Sequence, residues 1–384
     1  MNILIGITSS IASYKIYELI RMFKKQGCNV KTIVTKNALQ FVSPLVLETL
    51  SGDKCYYEQF NPRNNTEHIT LVNWADVFVV APLSANTLSK FAHGICDNLL
   101  TSIFCAYLGS KKPLLLAPAM NENMYNNPLI QNNLEILKEF SEIIAPQKGY
   151  LACGAEGVGR LADIEIIFQH TLRNLFQNKE NNSKKIIVTL AGTQEMIDNV
   201  RCITNLSSGK MGTALCDWAY YMGYEVCAIS SIELKKPYKV ISIKSAEEML
   251  AAIKKQDFDY LIMASAVCDF KVKNISSEKI SKEKIEGDFK LELVKNPDIA
   301  KTIAQEKNSN QKVVGFCLAD KDHMECARKK LISKNLDYIV VNDVQALNSN
   351  ENEVTILDKS GKIKIIEKDT KQNVAKKILE VICD

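Results

Sequence analysis

No C-x-x-C pair occurs among the twelve cysteines of this chain. Paired spacing is what a structural zinc site requires, and a disulfide scaffold belongs to a short secreted chain rather than one of 384 residues. Most of the cysteines are therefore expected to be reduced and buried, packing as small hydrophobes. Long apolar runs are missing too: nothing approaches the ~20 residues that span a bilayer. The start, Met1-Asn-Ile-Leu-Ile-Gly6, runs directly into a strand pattern without a basic region or cleavage site, so no signal peptide is expected. The expected location is the cytoplasm, with no membrane partner. Charge of one sign is scarce as well. A net charge of +4 spread along the chain gives no basic face for nucleic acid, although anionic small molecules need only local positive charge. No short repeat suggests a solenoid.

What is present is an ordinary globular composition, 46% hydrophobic and 24% charged, in a length suited to two or three domains. Strand-like apolar runs at Asn2–Thr8, Val30–Thr35, Asp76–Ala81, Pro113–Ala117 and Glu142–Ala145 alternate with helical segments. In the first of these helices, Ile11–Lys25, residues Ala12, Ile16, Leu19, Ile20 and Phe23 share one face. Continuous apolar strands separated by helices predict a mainly parallel sheet covered on both sides. The pattern dissolves into polar residues at Gln177–Lys184 and then restarts. Strands are predicted at Lys185–Leu190, Tyr224–Ser230, Tyr260–Ala264, Val313–Phe316 and Tyr338–Val341, with a helix over Met211–Met222. Val354–Leu357 and Lys362–Ile366 read as a hairpin before a closing helix. The expectation is two Rossmann-like α/β domains, residues 1–178 and 185–384, joined by a linker over 179–184. Ligands bind such sheets outside the carboxyl ends of the strands.

Several segments carry chemistry. Tyr150-Leu-Ala-Cys-Gly-Ala-Glu-Gly-Val-Gly-Arg160 sets Cys153 in a glycine-rich loop, where backbone can pass close to a ligand and a thiol can exchange a proton. Gly6-Ile-Thr-Ser-Ser10 lies between the first strand and its helix, a place for a helix cap or a phosphate. Ala81-Pro-Leu-Ser-Ala-Asn-Thr87, Asp97-Asn98-Leu-Leu100 and Pro118-Ala-Met-Asn121 follow strand ends and are rich in hydroxyls and amides. Together, in this order, these blocks resemble the flavin-binding cysteine decarboxylase family. The resemblance implies a flavodoxin-like parallel sheet and non-covalent FMN at Gly6, Ser9, Ser10, Thr35, Ser84, Asn86, Thr87, Asp97, Asn98 and Met120. It further implies that His68 acts as base or orienter, that Asn121 holds the substrate carboxylate, and that Cys153 supplies the proton of the final reduction. The family carries paired glycines where this chain has Ser9 and Ser10.

In the second half, Thr204-Asn-Leu-Ser-Ser-Gly-Lys-Met-Gly212 precedes a predicted helix. It is not a Walker A loop, because Thr204 occupies the place of the first glycine and Met211 that of the Ser or Thr after the lysine. With Ala264-Ser-Ala-Val-Cys-Asp269, Ser277–Ile280, Val294-Lys-Asn-Pro-Asp-Ile299, Val314-Gly-Phe316 and the lysines of 327–337, it resembles phosphopantothenate–cysteine ligase. The whole chain is thus similar to the bifunctional decarboxylase/ligase family of coenzyme A synthesis. That likeness implies ligation of cysteine to 4′-phosphopantothenate through an acyl-cytidylate made from CTP, then decarboxylation to 4′-phosphopantetheine. CTP is expected at Met263, Ala264, Ser265, Asp269, Lys279, Pro297, Asp298, Ile299, Ala300, Phe316, Lys330 and Lys334, with Mg²⁺ on Asp269. Asn205 is expected to hold the acyl intermediate, and Arg201 the substrate phosphate or developing charge. A homo-oligomer is also implied, built from trimers that assemble further, up to a dodecamer. Two other readings stay open from the residues: a decarboxylase with a drifted ligase half, and a non-catalytic flavin-binding regulator.

Overall fold

The computed structural model describes residues 1–60, 66–150, 154, 156–281, 288–319, 323–343 and 349–383. The chain divides into two compact units, Met1–Phe176 and Gln177–Asp384.

In the first unit the strands are β1 (Asn2–Ile7), β2 (Asn29–Val34), β3 (Cys55–Tyr56), β4 (Val77–Leu83), β5 (Leu114–Pro118) and β6 (Glu142–Ile143). They form one sheet in the order β3-β2-β1-β4-β5-β6, parallel throughout. Without the two-residue β3 this is the flavodoxin-like order, and with it the dinucleotide-binding order; either way the switch point lies between β1 and β4. Every residue of β4 and β5 is buried, as both faces of a helix-covered parallel sheet require. A 3₁₀ turn, Ile11–Lys15, leads into the helix Ile16–Lys25. That helix buries Ile16, Leu19, Ile20 and Phe23, the i, i+3, i+4, i+7 stripe that the sequence predicts. Phe23 meets Phe168 of the helix Ile164–Phe176, ring centres 5.2 Å apart. Gly6 has a packing reason: a Cβ there would lie 2.7 Å from Leu100 Cδ1, so glycine lets the helix Leu99–Leu108 press onto β1. A two-stranded antiparallel hairpin, β7 (Gln147–Tyr150) and β8 (Glu156–Arg160), completes the unit.

The second unit has the strands β9 (Lys185–Leu190), β10 (Gln194–Met196), β11 (Cys202–Thr204), β12 (Glu225–Ser230), β13 (Lys239–Ser242), β14 (Tyr260–Met263), β15 (Phe270–Val272), β16 (Leu293–Lys295), β17 (Lys312–Ala319), β18 (Tyr338–Asp343), β19 (Glu351–Asp358) and β20 (Ile363–Thr370). Its main sheet runs β13-β12-β9-β14-β17-β18-β19-β20. The first six strands are parallel and the last two add as an antiparallel hairpin. Helices Ala246–Lys254, Ile299–Glu306 and His323–Ser333 share a core on one face, in which Met249, Ile299 and Ala327 pack with Leu261, Val313 and Ile339. Helices Lys210–Tyr221 and Lys371–Ile382 pack against each other and against the sheet. The polar run before β9 is not wholly solvated. Asn181 is buried, its Nδ2 donating to Met222 O at 3.0 Å. All the described cysteines are free, and Cys28, Cys55, Cys216, Cys227, Cys268, Cys317 and Cys383 are buried.

Candidate functional site

In the first unit the residues singled out from sequence gather at the carboxyl edge of the sheet, around its switch point. Thr8 locks two of the loops together: its hydroxyl donates to Pro82 O at 2.7 Å and accepts from Ser84 N at 2.8 Å. Ser84 Oγ in turn caps the helix Ala85–Ala92, accepting from Thr87 N. Asn98 and Thr101 cap the next helix reciprocally, at 3.0 and 3.1 Å, an arrangement that contributes about 1 kcal/mol. Asp97 pairs with Lys90 and accepts from Asn98 Nδ2, and the Lys90 hydrogen bond holds its carboxyl below the ordinary range. Ser10 Oγ accepts from its own Ala12 N at 3.3 Å, so this hydroxyl caps the 3₁₀ turn; Ser9 is half-buried and Asn86 exposed.

Whether these residues suit a flavin phosphate is tested by Thr35. Its backbone amide donates to Ile7 O, yet its buried Oγ1 has no hydrogen-bond partner among the described residues. A buried, unsatisfied hydroxyl costs about 1–3 kcal/mol, which a ligand acceptor or donor at the edge of β1 and β2 would offset. The residues present fit the group.

The hairpin β7–β8 stands on the Pro118–Asn121 segment. Met120 N donates to Gly159 O at 3.0 Å, and Val158 N to Glu122 Oε1 at 2.9 Å. Gly159 has φ 141°, and a Cβ there would lie 2.2 Å from Met120 O, so only glycine permits this seat. Arg160 ties the base of the hairpin through Gln147 and Asp163, at 3.0 and 2.6 Å. Lys15, at the end of the serine loop, is pushed down by burial and by the Arg160 charge, against a pull from Asp163. The hairpin base therefore lies beside the first loop. Asn121 is exposed, its Oδ1 accepting from Asn123 N at 2.9 Å. Cys153 lies outside the described residues. His68 is half-buried in the first turn of the helix Glu67–Trp74, and no hydrogen bond among the described residues joins it to Asn121.

The second unit holds a cavity of about 1100 Å³ at the carboxyl edge of its sheet. Its lining brings together Asn205, Met263, Ala264, Ser265, Asp269, Pro297, Asp298, Ile299, Ala300, Phe316, Lys330 and Lys334, which the sequence scatters over 130 positions (205 to 334). Asp298 caps the helix Ile299–Glu306 and pairs with Lys334 at 2.9 Å, so this lysine is fixed rather than solvated. Lys330 Nζ lies 3.4 Å from Cys317 Sγ. Asn205 Nδ2 donates to Val267 O at 3.0 Å, holding the loop that carries Asp269. Ser265 shares a 2.8 Å hydrogen bond with Thr189 at the switch point between β9 and β14.

Two expected ligase residues stand apart from that lining. Arg201 and Lys279 do not line the cavity. Arg201 is captured by Asp198, which the sequence reading missed. Asp198 Oδ1 accepts from Val200 N and Arg201 N, both at 2.8 Å, while Oδ2 accepts from Arg201 Nε and Ile280 N. Burial pushes the Asp198 carboxyl up, but these amides and the guanidinium outweigh it and bring it down to about 2. One carboxylate thus ties Arg201 to the exposed segment bearing Lys279. The signal was present: Asp-x-x-Arg with amides two and three residues on is an Asx turn. No group of three His, Cys, Asp or Glu side chains assembles among the described residues. Mg²⁺ would be held by Asp269 together with nucleotide phosphates, the usual arrangement for this ion.

Comparison with known proteins agrees with this division. Residues 1–176 match the Flavoprotein family and residues 181–384 the DNA/pantothenate metabolism flavoprotein C-terminal domain. The coenzyme A biosynthesis bifunctional protein CoaBC of Borreliella burgdorferi is 39% identical over 389 residues, covering 99% of this chain and 98% of its own. The chain belongs to this bifunctional family. It is therefore an enzyme of coenzyme A biosynthesis, with a decarboxylase half followed by a ligase half. Among solved structures, a PPC decarboxylase mutant complexed with pantothenoylaminoethenethiol is 38% identical. It covers 44% of this chain and 95% of its own, with a TM-score of 0.41. The C-terminal domain of a CoaBC protein is 33% identical, covering 53% and 96%, with a TM-score of 0.46. No described helix is long and apolar enough to cross a membrane.

Proposed function

We propose that the second unit couples 4′-phosphopantothenate to cysteine using CTP and Mg²⁺, and that the first unit decarboxylates the product with FMN to give 4′-phosphopantetheine. The observation that carries this is the single cavity in which Asn205, Asp269, Phe316, Lys330 and Lys334 converge. A carboxylate is a poor electrophile, so ligation needs it joined to a phosphoryl group first. The carboxylate oxygen attacks the α-phosphorus of CTP and pyrophosphate leaves; the cysteine amine then displaces CMP from the acyl-cytidylate. Charge gathers on the phosphoryl oxygens, and lysines fixed in a low-dielectric cavity offset it without reorganising. Lys334, braced by Asp298, and Lys330 supply that field, while Pro297–Ala300 and Phe316 form the wall for the cytosine ring.

In the first unit, FMN when bound supplies the two-electron oxidation and later re-reduction that allow carbon dioxide to leave without net redox change. The residues orient and protonate. Thr35, Ser84 and Thr87 take the cofactor's polar groups, with Asp97 and Asn98 at the neighbouring helix start. Asn121 donates to the carboxylate that is to be expelled, Cys153 delivers the final proton, and His68 acts as base or orienter. A homo-oligomer of trimers, acting in the cytoplasm, completes the reading. The exposed apolar side chains Ile11, Tyr14, Phe41 and Leu45 provide a surface for such assembly.

The test is direct. Purified protein is given phosphopantothenate, cysteine, CTP and Mg²⁺, and pyrophosphate release and product mass are followed. Release dependent on all four, with a product lighter by carbon dioxide, is expected. A yellow protein that decarboxylates added phosphopantothenoylcysteine yet releases no pyrophosphate would leave only the decarboxylase.

A further inference from the structure

The motif Ser207-Ser-Gly-Lys210 is not used by any step above, although all four residues line the ligase cavity. Gly209, with φ 71°, precedes the twelve-residue helix Lys210–Tyr221 and gives it no side-chain cap. The first-turn amides of Lys210, Met211 and Gly212, all at the cavity wall, are thus left for another acceptor. A second helix begins at the same place. Lys371 is the first residue of Lys371–Ile382, and it too lines the cavity. Asn350 joins the two starts: its backbone carbonyl accepts from Lys371 N at 2.9 Å, and its Oδ1 from Lys210 Nζ at 2.8 Å.

Two helix N-termini and two ammonium groups therefore converge on one wall. Helix dipoles and amines of the same sign repel each other unless an anion lies between them. The strain registers on Lys371, whose ammonium is pushed down first by burial and then by the Lys210 charge. The cavity's carboxylates among the described residues are Asp269 and Asp298, and Asp298 is already paired with Lys334. Beside the lysines, Asn352 is 3% exposed, and its Oδ1 has no partner among the described residues. That amide lines the same cavity and completes a polar pocket of the kind a hydrated polyanion requires.

Across the sheet edge the lining is different. Phe316 and Pro297–Ala300 come with the helices Ile299–Glu306 and His323–Ser333, on the face whose apolar core they share. A ligand reaching both walls is elongated, with a flat ring at one end and concentrated negative charge at the other. We propose that Lys371, with Lys210, seats the β- and γ-phosphates of the nucleoside triphosphate, the portion that leaves as pyrophosphate. This rests on the CTP-dependent ligation proposed above. As the carboxylate oxygen bonds to the α-phosphorus, the α–β bridging oxygen departs with the electron pair, and the two ammonium groups receive that charge on the leaving pyrophosphate. Lys371 thereby makes a triphosphate a better substrate than a diphosphate.

Two measurements on the full-length protein test the proposal. Inorganic pyrophosphate is titrated calorimetrically into wild type, Lys371→Gln and Lys371→Arg, and KM is measured for CTP and for 4′-phosphopantothenate. Losing a charge-assisted hydrogen bond should weaken pyrophosphate binding and raise the KM for CTP by about 10- to 100-fold. The KM for 4′-phosphopantothenate should stay within about twofold, and arginine should restore most of the loss. Decarboxylation by the same preparation reports folding. If Lys371→Gln does not fold, Lys210→Gln, at an exposed position, replaces it with the same expected direction. Pyrophosphate binding unchanged in a folded glutamine variant would overturn the proposal, as would a rise confined to the KM for 4′-phosphopantothenate. If wild type binds pyrophosphate through Lys371 yet never turns over CTP, the ligation reading fails while this anion seat stands.

Discussion

Gly159→Ala should separate the two activities of this protein. The residue has φ 141°, a conformation that L side chains rarely adopt, and the added methyl carbon would meet Met120 O at 2.2 Å. Holding alanine in that backbone region costs about 1–3 kcal/mol, and the collision with a carbonyl cannot be relieved by turning a side chain. Strand β8 must lift. Lifting breaks the hydrogen bonds Met120 N to Gly159 O and Val158 N to Glu122, which together contribute about 1–3 kcal/mol. A hairpin held by so few bonds has little reserve, and it is the hairpin whose turn carries Cys153. Each 1.4 kcal/mol spent on reseating it costs tenfold in rate. A displacement of about 2–4 kcal/mol therefore predicts a fall in decarboxylation kcat/KM of about 30- to 1000-fold. The assay is carbon dioxide release from phosphopantothenoylcysteine at saturating FMN. Pyrophosphate release from CTP, measured on the same sample, should stay at the wild-type value because the ligase cavity lies wholly in the other unit. Decarboxylation within twofold of wild type would refute the idea that the seat of β8 on Met120 positions the chemistry.

Three further substitutions probe other parts of the argument. Thr35→Val removes a buried hydroxyl that has no partner among the described residues; the protein without flavin should be no less stable, while FMN should bind about tenfold more weakly by fluorescence titration, and an unchanged affinity would detach Thr35 from the cofactor. Gly6→Ala places a methyl carbon 2.7 Å from Leu100 Cδ1 and should cost about 1–3 kcal/mol of stability in thermal or urea unfolding; a neutral result would mean that the helix Leu99–Leu108 moves freely. Asp198, held at about 2 in the folded state against about 3.9 when unfolded, contributes stability that is present above pH ~4 and is lost as the pH falls towards ~2. Asp198→Asn should therefore flatten the acid limb of the unfolding profile and lower ligase activity at neutral pH, since the segment bearing Lys279 loses its anchor; an acid limb identical to wild type would show that the carboxylate is not the tie.

Both sheets were legible in the sequence because parallel strands buried on two faces are written as unbroken apolar runs. The buried stripe Ile16, Leu19, Ile20 and Phe23 was legible for the same reason, being a period and not a single position. What escaped was shorter than a period. Strands β10, β11, β15 and β16 hold three residues each, too few to show alternation, and they are fixed by partners far along the chain. Polar composition misled at Asn181, which reads as linker but spends its amide on Met222 O.

The site divides along the same line. Residues that meet a ligand directly occur in blocks after strand ends, and the cavity gathers nearly all of those expected in the ligase half. Residues that position others occur singly: Asp198 fixes Arg201, and Asp298 fixes Lys334. Lys371 is the extreme case, a lysine behind a helix-capping threonine, identical in sequence to any solvated first turn. Only the packing of its helix against Lys210–Tyr221 brings its charge to the wall that Ser207–Lys210 occupies. A motif names the ligand, but how firmly that ligand is held is decided by charges that the fold imports from elsewhere in the chain. In this protein the import comes from the C-terminal helix. Ending the chain before Lys371 should therefore cost nucleotide affinity even in a sample whose first unit still decarboxylates.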